Sequence, residues 1–102
     1  MATAQTLPLP DTELGQAVEF ISSGDLTNGA RLARQARIRA QSEGNYRDEV
    51  FALLALARIP GQEDSAIRAA ADVADESDDK NLVTAVAQAA RSAKIELPRK
   101  TL

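Results

Sequence analysis

Apolar residues recur at intervals of three and four along most of the chain, which is the spacing of amphipathic α-helices. Turn residues divide this pattern into five stretches, and the strongest breakers are Gly24-Asp25, Gly44-Asn45 and Pro60-Gly61. We expect Asp11 or Thr12 to cap the first helix, and the other four helices to begin at about Thr27 or Asn28, Tyr46, Glu63 and Lys80. The last three should end at about Ile59, Glu76 and Lys94. No stretch alternates at period two, so the pattern predicts an all-α fold of about five short antiparallel helices.

The apolar stripe of each predicted helix indicates which residues form the core. On the first helix the stripe holds Leu14, Ala17, Val18 and Ile21. On the third it holds Val50, Leu53, Leu54 and Ala57. On the fifth it holds Leu82, Val83, Val86, Ala89 and Ala90. Outside the helical region, residues 1–10 are expected to form a flexible tail and residues 95–102 a tail or linker, which leaves residues 11–94 as one helical domain.

The predicted helices fall into an internal repeat of about 34 residues. The segment from Leu32 to Ser42 aligns with the segment from Ile67 to Ser77, and Val50 to Arg58 aligns with Val83 to Arg91. Small residues follow the turn at Gly24-Asp25-Leu26, namely Gly29, Ala33 and Ala36. In these features the chain resembles the tetratricopeptide (TPR) family, whose helical hairpins stack into an α-α superhelix.

The TPR resemblance implies a protein-interaction module that binds peptides on a concave face lined by the first helix of each hairpin. Transferred to this chain by register, the face would hold Leu14, Val18, Ile21 and Ala55, together with the candidate partner-binding residues Asp48, Phe51, Arg58, Thr84, Gln88 and Arg91. Phe51 lies off the main stripe of its helix, so it is either an exposed aromatic anchor or a filler between hairpins. Arg58 and Arg91 occupy equivalent repeat positions and suit a carboxylate.

The stretch from Ala40 to Arg58 also looks like divergent repeats of bacterial signalling proteins, including transcription activators and diguanylate cyclases. That resemblance implies the N-terminal regulatory domain of a signalling protein. A small-ligand sensor that uses the same concave face is the alternative function.

Composition narrows the chemistry that the chain offers. Hydrophobic residues make up 44% but aromatic residues only 3%, so the core must be built mostly from Ala, Leu, Val and Ile. There is no Cys and no His, which removes the thiolate, the usual general base and the commonest metal ligand. We therefore predict no enzyme activity, no cofactor and no metal site. No signal peptide or membrane span is apparent, so a cytoplasmic protein without a membrane partner is the simplest expectation.

Two charged runs stand out from the rest of the sequence. Arg31, Arg34 and Arg37 give the second helix a basic character, and Asp72 and Asp75 belong to an acidic run in the fourth. The net charge of -3 and the lack of interleaved aromatic residues disfavour nucleic acid as the partner of the arginines. Each run is therefore either a solvated helix face or a contact surface for a protein partner. The two runs also suit each other, which suggests dimerisation as a homodimer.

Overall fold

The computed structural model describes residues 12–97. These residues form five helices and no strand, which confirms the all-α prediction. The helices are α1 (Glu13–Ser23), α2 (Leu26–Glu43), α3 (Tyr46–Leu56), α4 (Glu63–Ser77) and α5 (Lys80–Ser92). The predicted tail at residues 1–10, the possible cap Asp11 and residues 98–102 of the predicted C-terminal segment lie outside the described residues.

Two-residue turns connect α1 to α2 and α2 to α3, and both are built in the same way. A glycine with positive φ closes the preceding helix, at Gly24 (φ 96°) and Gly44 (φ 70°). The next residue is an N-cap, since Asp25 Oδ1 accepts from the Asn28 N–H at 3.3 Å and Asn45 Oδ1 accepts from the Asp48 N–H at 3.0 Å. A left-handed residue followed by an Asx cap therefore reverses the chain within two residues.

The connection between α3 and α4 is longer, and it corrects one predicted boundary. Helix α3 ends at Leu56 rather than at Ile59, because the last turn tightens into bonds of the 3₁₀ kind. In that turn the Arg58 N–H donates to the Ala55 carbonyl and the Ile59 N–H to the Leu56 carbonyl. Pro60 explains the early end, since a proline disfavours helical backbone at the residue before it.

The helices pack in two layers. Each helix contacts the next one along the chain, and α3 also contacts both α1 and α5, whereas α2 and α4 do not meet. We call α1, α3 and α5 the inner layer and α2 and α4 the outer layer. Because only the inner helices touch one another, the stack curves towards the inner layer, and residues 12–97 have the character of a helical repeat.

The core is built from small side chains and allows close helix contacts. Ala17, Ala33, Ala52 and Ala70 are completely buried. A Cβ added at Gly29 would lie 2.5 Å from Ile21 Cγ1 and 3.3 Å from the Ala17 carbonyl oxygen, so α1 and α2 approach closely here. Packing thus explains the glycine at position 29, and Ala33 and Ala36, which follow it, are buried.

The predicted stripes are less buried than expected at Val18, Leu54 and Ala89, which are half-buried, and at Val83, which is exposed. Val83 is 40% exposed, whereas its repeat equivalent Val50 is completely buried. The reason is the position of the two helices in the stack, since α3 is packed between helices on both sides whereas no described helix follows α5. Leu54 is half-buried rather than central, because the buried side of α3 is centred on Leu53 and Leu56 instead.

Helix α5 ends at Ser92, two residues before the predicted Lys94, and the chain then turns back. Lys94 has a positive φ of 60°, and the Ile95 N–H donates to the Ala90 carbonyl at 2.8 Å. This is a left-handed helix ending of the kind that places the following apolar residue against the helix. Ile95 and Leu97, within the predicted tail or linker, accordingly pack against the core.

Candidate functional site

One stripe of α3, continued into the turn that follows the helix, faces solvent on the inner layer. It consists of Arg47, Phe51, Leu54 and Arg58, which follow one another at spacings of four, three and four. The two arginines at its ends are exposed, and Phe51 and Leu54 between them are half-buried. We call this set the α3 stripe. A helix advances about 1.5 Å per residue, so the two arginines begin about 16 Å apart.

Phe51 combines the two roles that the sequence left open. One side of its ring packs against the small cluster formed by Leu14, Ala36 and Ala52. The Arg47 guanidinium lies over the ring, 4.9 Å from its centroid. The ring is therefore held in place from below by apolar contacts and from above by a cation. It fills the junction between helices and still presents part of its surface to solvent.

Arg58 is positioned by a contact between two inner-layer helices. Its Nη2 donates to Ser22 Oγ of α1 at 3.2 Å. Both residues are exposed, so the bond crosses the surface of the layer at the junction of α1 and α3. A guanidinium carries five N–H donors, and one bond to Ser22 leaves the others for a carboxylate.

A second stripe repeats the first on α5. Lys80, Thr84, Ala87 and Arg91 stand 33 residues after the four members of the α3 stripe. Lys80, Thr84 and Arg91 are exposed and Ala87 is half-buried, while α5 buries Leu82, Val86 and Ala90 on its opposite side. We call this set the α5 stripe. Each stripe thus carries a cation at both ends and smaller or apolar residues between them.

The two N-terminal cations of these stripes were absent from the sequence prediction. Arg47 and Lys80 are equivalent at the same offset of 33 that aligns Val50 with Val83. The aligned segment began at Val50, three residues too late to include them. Extending the repeat comparison upstream by one helical turn would have found the pair.

Other predicted residues of the concave face serve the fold instead. Leu14, Ile21 and Ala55 are buried in the core, and Val18 is half-buried. Asp48 belongs to the cap of α3, because its Oδ2 accepts from Asn45 Nδ2 at 3.1 Å while its N–H donates to Asn45 Oδ1. Gln88 is exposed on α5 next to the α5 stripe. Of the six candidate partner-binding residues, Phe51, Arg58, Thr84 and Arg91 belong to the two stripes.

The predicted self-association residues lie on the outer layer. Arg31 and Arg34 are exposed on α2, and Asp72 and Asp75 are exposed on α4. Arg37 on the same helix is half-buried, and its Nε is enclosed. The neighbouring Arg39 instead reaches α1, where its Nε lies 3.2 Å from Glu13 Oε1.

The described residues offer little else for chemistry. Glu49, in the first turn of α3, is the one buried charged residue among residues 12–97, and 6% of its surface is exposed. Within residues 12–97, no group of Asp and Glu side chains is arranged to hold a metal ion. None of the five helices combines the length and apolarity that crossing a membrane demands.

The fold and its surface therefore define an all-α, helical-repeat-like protein with a twofold repeated cationic stripe on its inner layer. Comparison with protein-family models, with curated proteins and with solved structures finds no match to this chain.

Proposed function

We propose that this chain is a non-enzymatic protein-interaction module of the TPR-like kind, which binds an extended acidic segment of a partner protein across its inner layer. The observation that carries the proposal is the repetition of one surface pattern on α3 and α5. Four cations, Arg47, Arg58, Lys80 and Arg91, frame a surface with Phe51 and Leu54 at its centre. Core packing does not require exposed cations at equivalent positions of two successive repeats.

The chemistry of the stripes selects the kind of segment. Arginine binds carboxylates through paired, charge-assisted hydrogen bonds, and these are stronger than neutral ones. The exposed part of Phe51, supported from behind, suits an apolar side chain of the partner. An extended peptide covers about 3.3 Å per residue, so about five residues span one stripe from cation to cation. A segment with carboxylates at its ends and a large apolar residue between them matches this surface best.

The order already present in the stripe favours binding. Ser22 holds the Arg58 guanidinium, and Arg47 rests on the Phe51 ring. Side chains that are already ordered lose less conformational entropy when a ligand arrives, so more of the interaction energy remains as affinity. We place this module in the cytoplasm and in the regulatory part of a bacterial signalling protein. The signalling context rests on the sequence resemblance alone.

Binding to a defined peptide panel tests the proposal. The probes are fluorescent peptides that all contain one large apolar residue and differ in their number of carboxylates, from none to several. The fluorescence anisotropy of each peptide is measured during titration with the protein. We expect affinity to rise with each carboxylate and to fall at least about tenfold in the Arg58→Glu/Arg91→Glu variant, because like charges then face each other. The matched control is Arg31→Glu/Arg34→Glu, which makes the same change of charge on the outer layer.

Two results would refute the peptide proposal. One is equal binding by both double variants, which would show a response to net charge rather than to the stripes. The other is the absence of peptide binding combined with a thermal shift by a small metabolite. This second result would favour the alternative function, a small-ligand sensor on the same face.

A further inference from the structure

The charge of the inner layer changes from one of its helices to the next. The α3 stripe and the α5 stripe each carry a cation at both ends, and α5 contains no carboxylate. Helix α1 contains no lysine or arginine, and its charged residues are Glu13 and Glu19. Since α3 contacts both α1 and α5, which do not contact each other, the α5 edge of the layer is cationic and the α1 edge is acidic.

The two glutamates of α1 have different surroundings. Glu13 Oε1 lies 3.2 Å from Arg39 Nε, so this carboxylate is paired with a cation of the outer layer. Glu19 is exposed, and its side chain forms no salt bridge or hydrogen bond with any other of residues 12–97. Of these two carboxylates, the one at Glu19 therefore has its charge open to a ligand.

Glu19 lies on the solvent-facing surface of the inner layer. Ala17 and Ile21 belong to the side of α1 that packs against Gly29 of α2. Glu19 stands two residues from each of them, and successive residues of a helix are about 100° apart around its axis. Two residues correspond to about 200°, so Glu19 points nearly opposite to the outer layer.

The position of Glu19 along α1 brings it next to Arg58. Ser22, three residues after Glu19, accepts a hydrogen bond from Arg58 Nη2 at 3.2 Å. Residues three apart on a helix have their Cβ atoms about 5–6 Å apart, so Glu19 borders the place where Arg58 would bind a carboxylate. In an extended segment, residues two positions apart point to the same side and are about 7 Å apart. A basic residue two positions beyond the carboxylate at Arg58 therefore reaches Glu19.

We infer that Glu19 selects the order of charges in the bound segment, with carboxylates over α3 and α5 and a lysine or arginine over α1. This inference rests on the proposed function, because it concerns the same segment and the same layer. Carboxylates over α3 and α5 raise the affinity, whereas a further carboxylate over α1 faces Glu19 and is repelled. The preferred partner segment is therefore acidic along most of its length and basic at one end.

Exchanging charges between ligand and protein tests the inference. The probes are fluorescent peptides with the same apolar residue and the same carboxylates, and they differ only in having Lys, Gln or Glu two positions beyond the last carboxylate. The series is made with this position at the N-terminal end and again at the C-terminal end. In one of the two directions, we expect the natural chain to bind the Lys peptide at least about threefold more tightly than the Glu peptide, with the Gln peptide between them. Glu19→Lys should reverse this order.

Glu43→Lys is the matched control, because it makes the same change of charge at an exposed position of the outer layer and should leave the order unchanged. Thermal unfolding should show both variants folded, since each changes an exposed side chain. A natural chain that binds the acidic peptides without distinguishing Lys from Glu in either direction would overturn the inference and leave the proposed function intact. Equal effects of the two variants would overturn it as well, because they would show a response to net charge. If no acidic peptide binds, the proposed function fails and the inference fails with it.

Discussion

At the scale of single residues, Gly29 is a position where even one added methyl group meets neighbouring atoms. Its Cα lies so close to α1 that an added methyl group would meet Ile21 Cγ1 and the backbone at Ile21 and Ala17. Alanine has a helix propensity about 1 kcal/mol better than glycine, which would favour the substitution on an open surface. Here the steric cost decides the outcome, because the neighbouring atoms include backbone that cannot rotate away.

We expect Gly29→Ala to lower the free energy of unfolding by about 1 kcal/mol or more, since overpacking costs about 1–3 kcal/mol. Urea denaturation measures the change. Gln35→Ala, at an exposed position of the same helix, is the control and should stay within about 0.5 kcal/mol of the natural chain. In an Ile21→Ala background the cost of Gly29→Ala should shrink, and full additivity of the two changes would contradict the proposed contact.

How far the sequence predicts such residues depends on whether their role is local. The turns at Gly24-Asp25 and Gly44-Asn45 follow from backbone conformation and a side-chain cap, so residue type alone identifies them. Asp48 is less clear, because an aspartate in a first helical turn suits both a cap and a binding surface. Only the hydrogen bonds to Asn45 distinguish these roles.

At the scale of helices, the burial of a residue depends more on which helices pack around its own helix than on the apolar pattern of that helix. Val50 and Val83 begin matching segments of the repeat, yet one is completely buried and the other is 40% exposed. The apolar stripe alone does not show this difference, because it does not say how many helices will cover it. The same reasoning explains Leu54, which belongs to an apolar stripe by spacing and lies at the edge of the core in the structure.

This difference predicts unequal costs for equal substitutions. Val50→Ala should destabilise the protein by about 2 kcal/mol, because it removes two buried methyl groups and leaves a cavity. Val83→Ala should change stability by less than about 0.5 kcal/mol. Thermal unfolding followed by circular dichroism compares the two. Equal losses would mean that α5 is covered in solution on the side where residues 12–97 leave it open.

At the scale of the whole molecule, α3 connects all the other helices. It contacts α1, α2, α4 and α5, whereas each of the others contacts only two helices. The short turns between successive helices made their antiparallel packing predictable from the sequence. The contacts of α1 and α5 with α3 join helices that are not consecutive in the chain, so the turns do not predict them, and they give α3 its two additional neighbours.

Hydrogen exchange should reveal this central position. We expect the amides of α3 to exchange slowest, near the limit set by global unfolding, because opening α3 breaks its contacts with all four other helices. Amides of α1 and α5 should exchange faster, since either helix can detach while the remaining layers stay packed. Exchange of α3 and α5 at the same rate would indicate that the five helices unfold only as one unit.

The odd number of helices also has a mechanical consequence. Each antiparallel step reverses the direction of the chain, so α1 begins and α5 ends at opposite edges of the stack, and they are also its first and last members. Tension applied between residues 12 and 97 therefore pulls on the two outermost helices first. Each of these contacts two neighbours, whereas α3 contacts four, so the end helices have fewer contacts to lose. Under load the protein should yield gradually from both ends, with α3 the last element to extend.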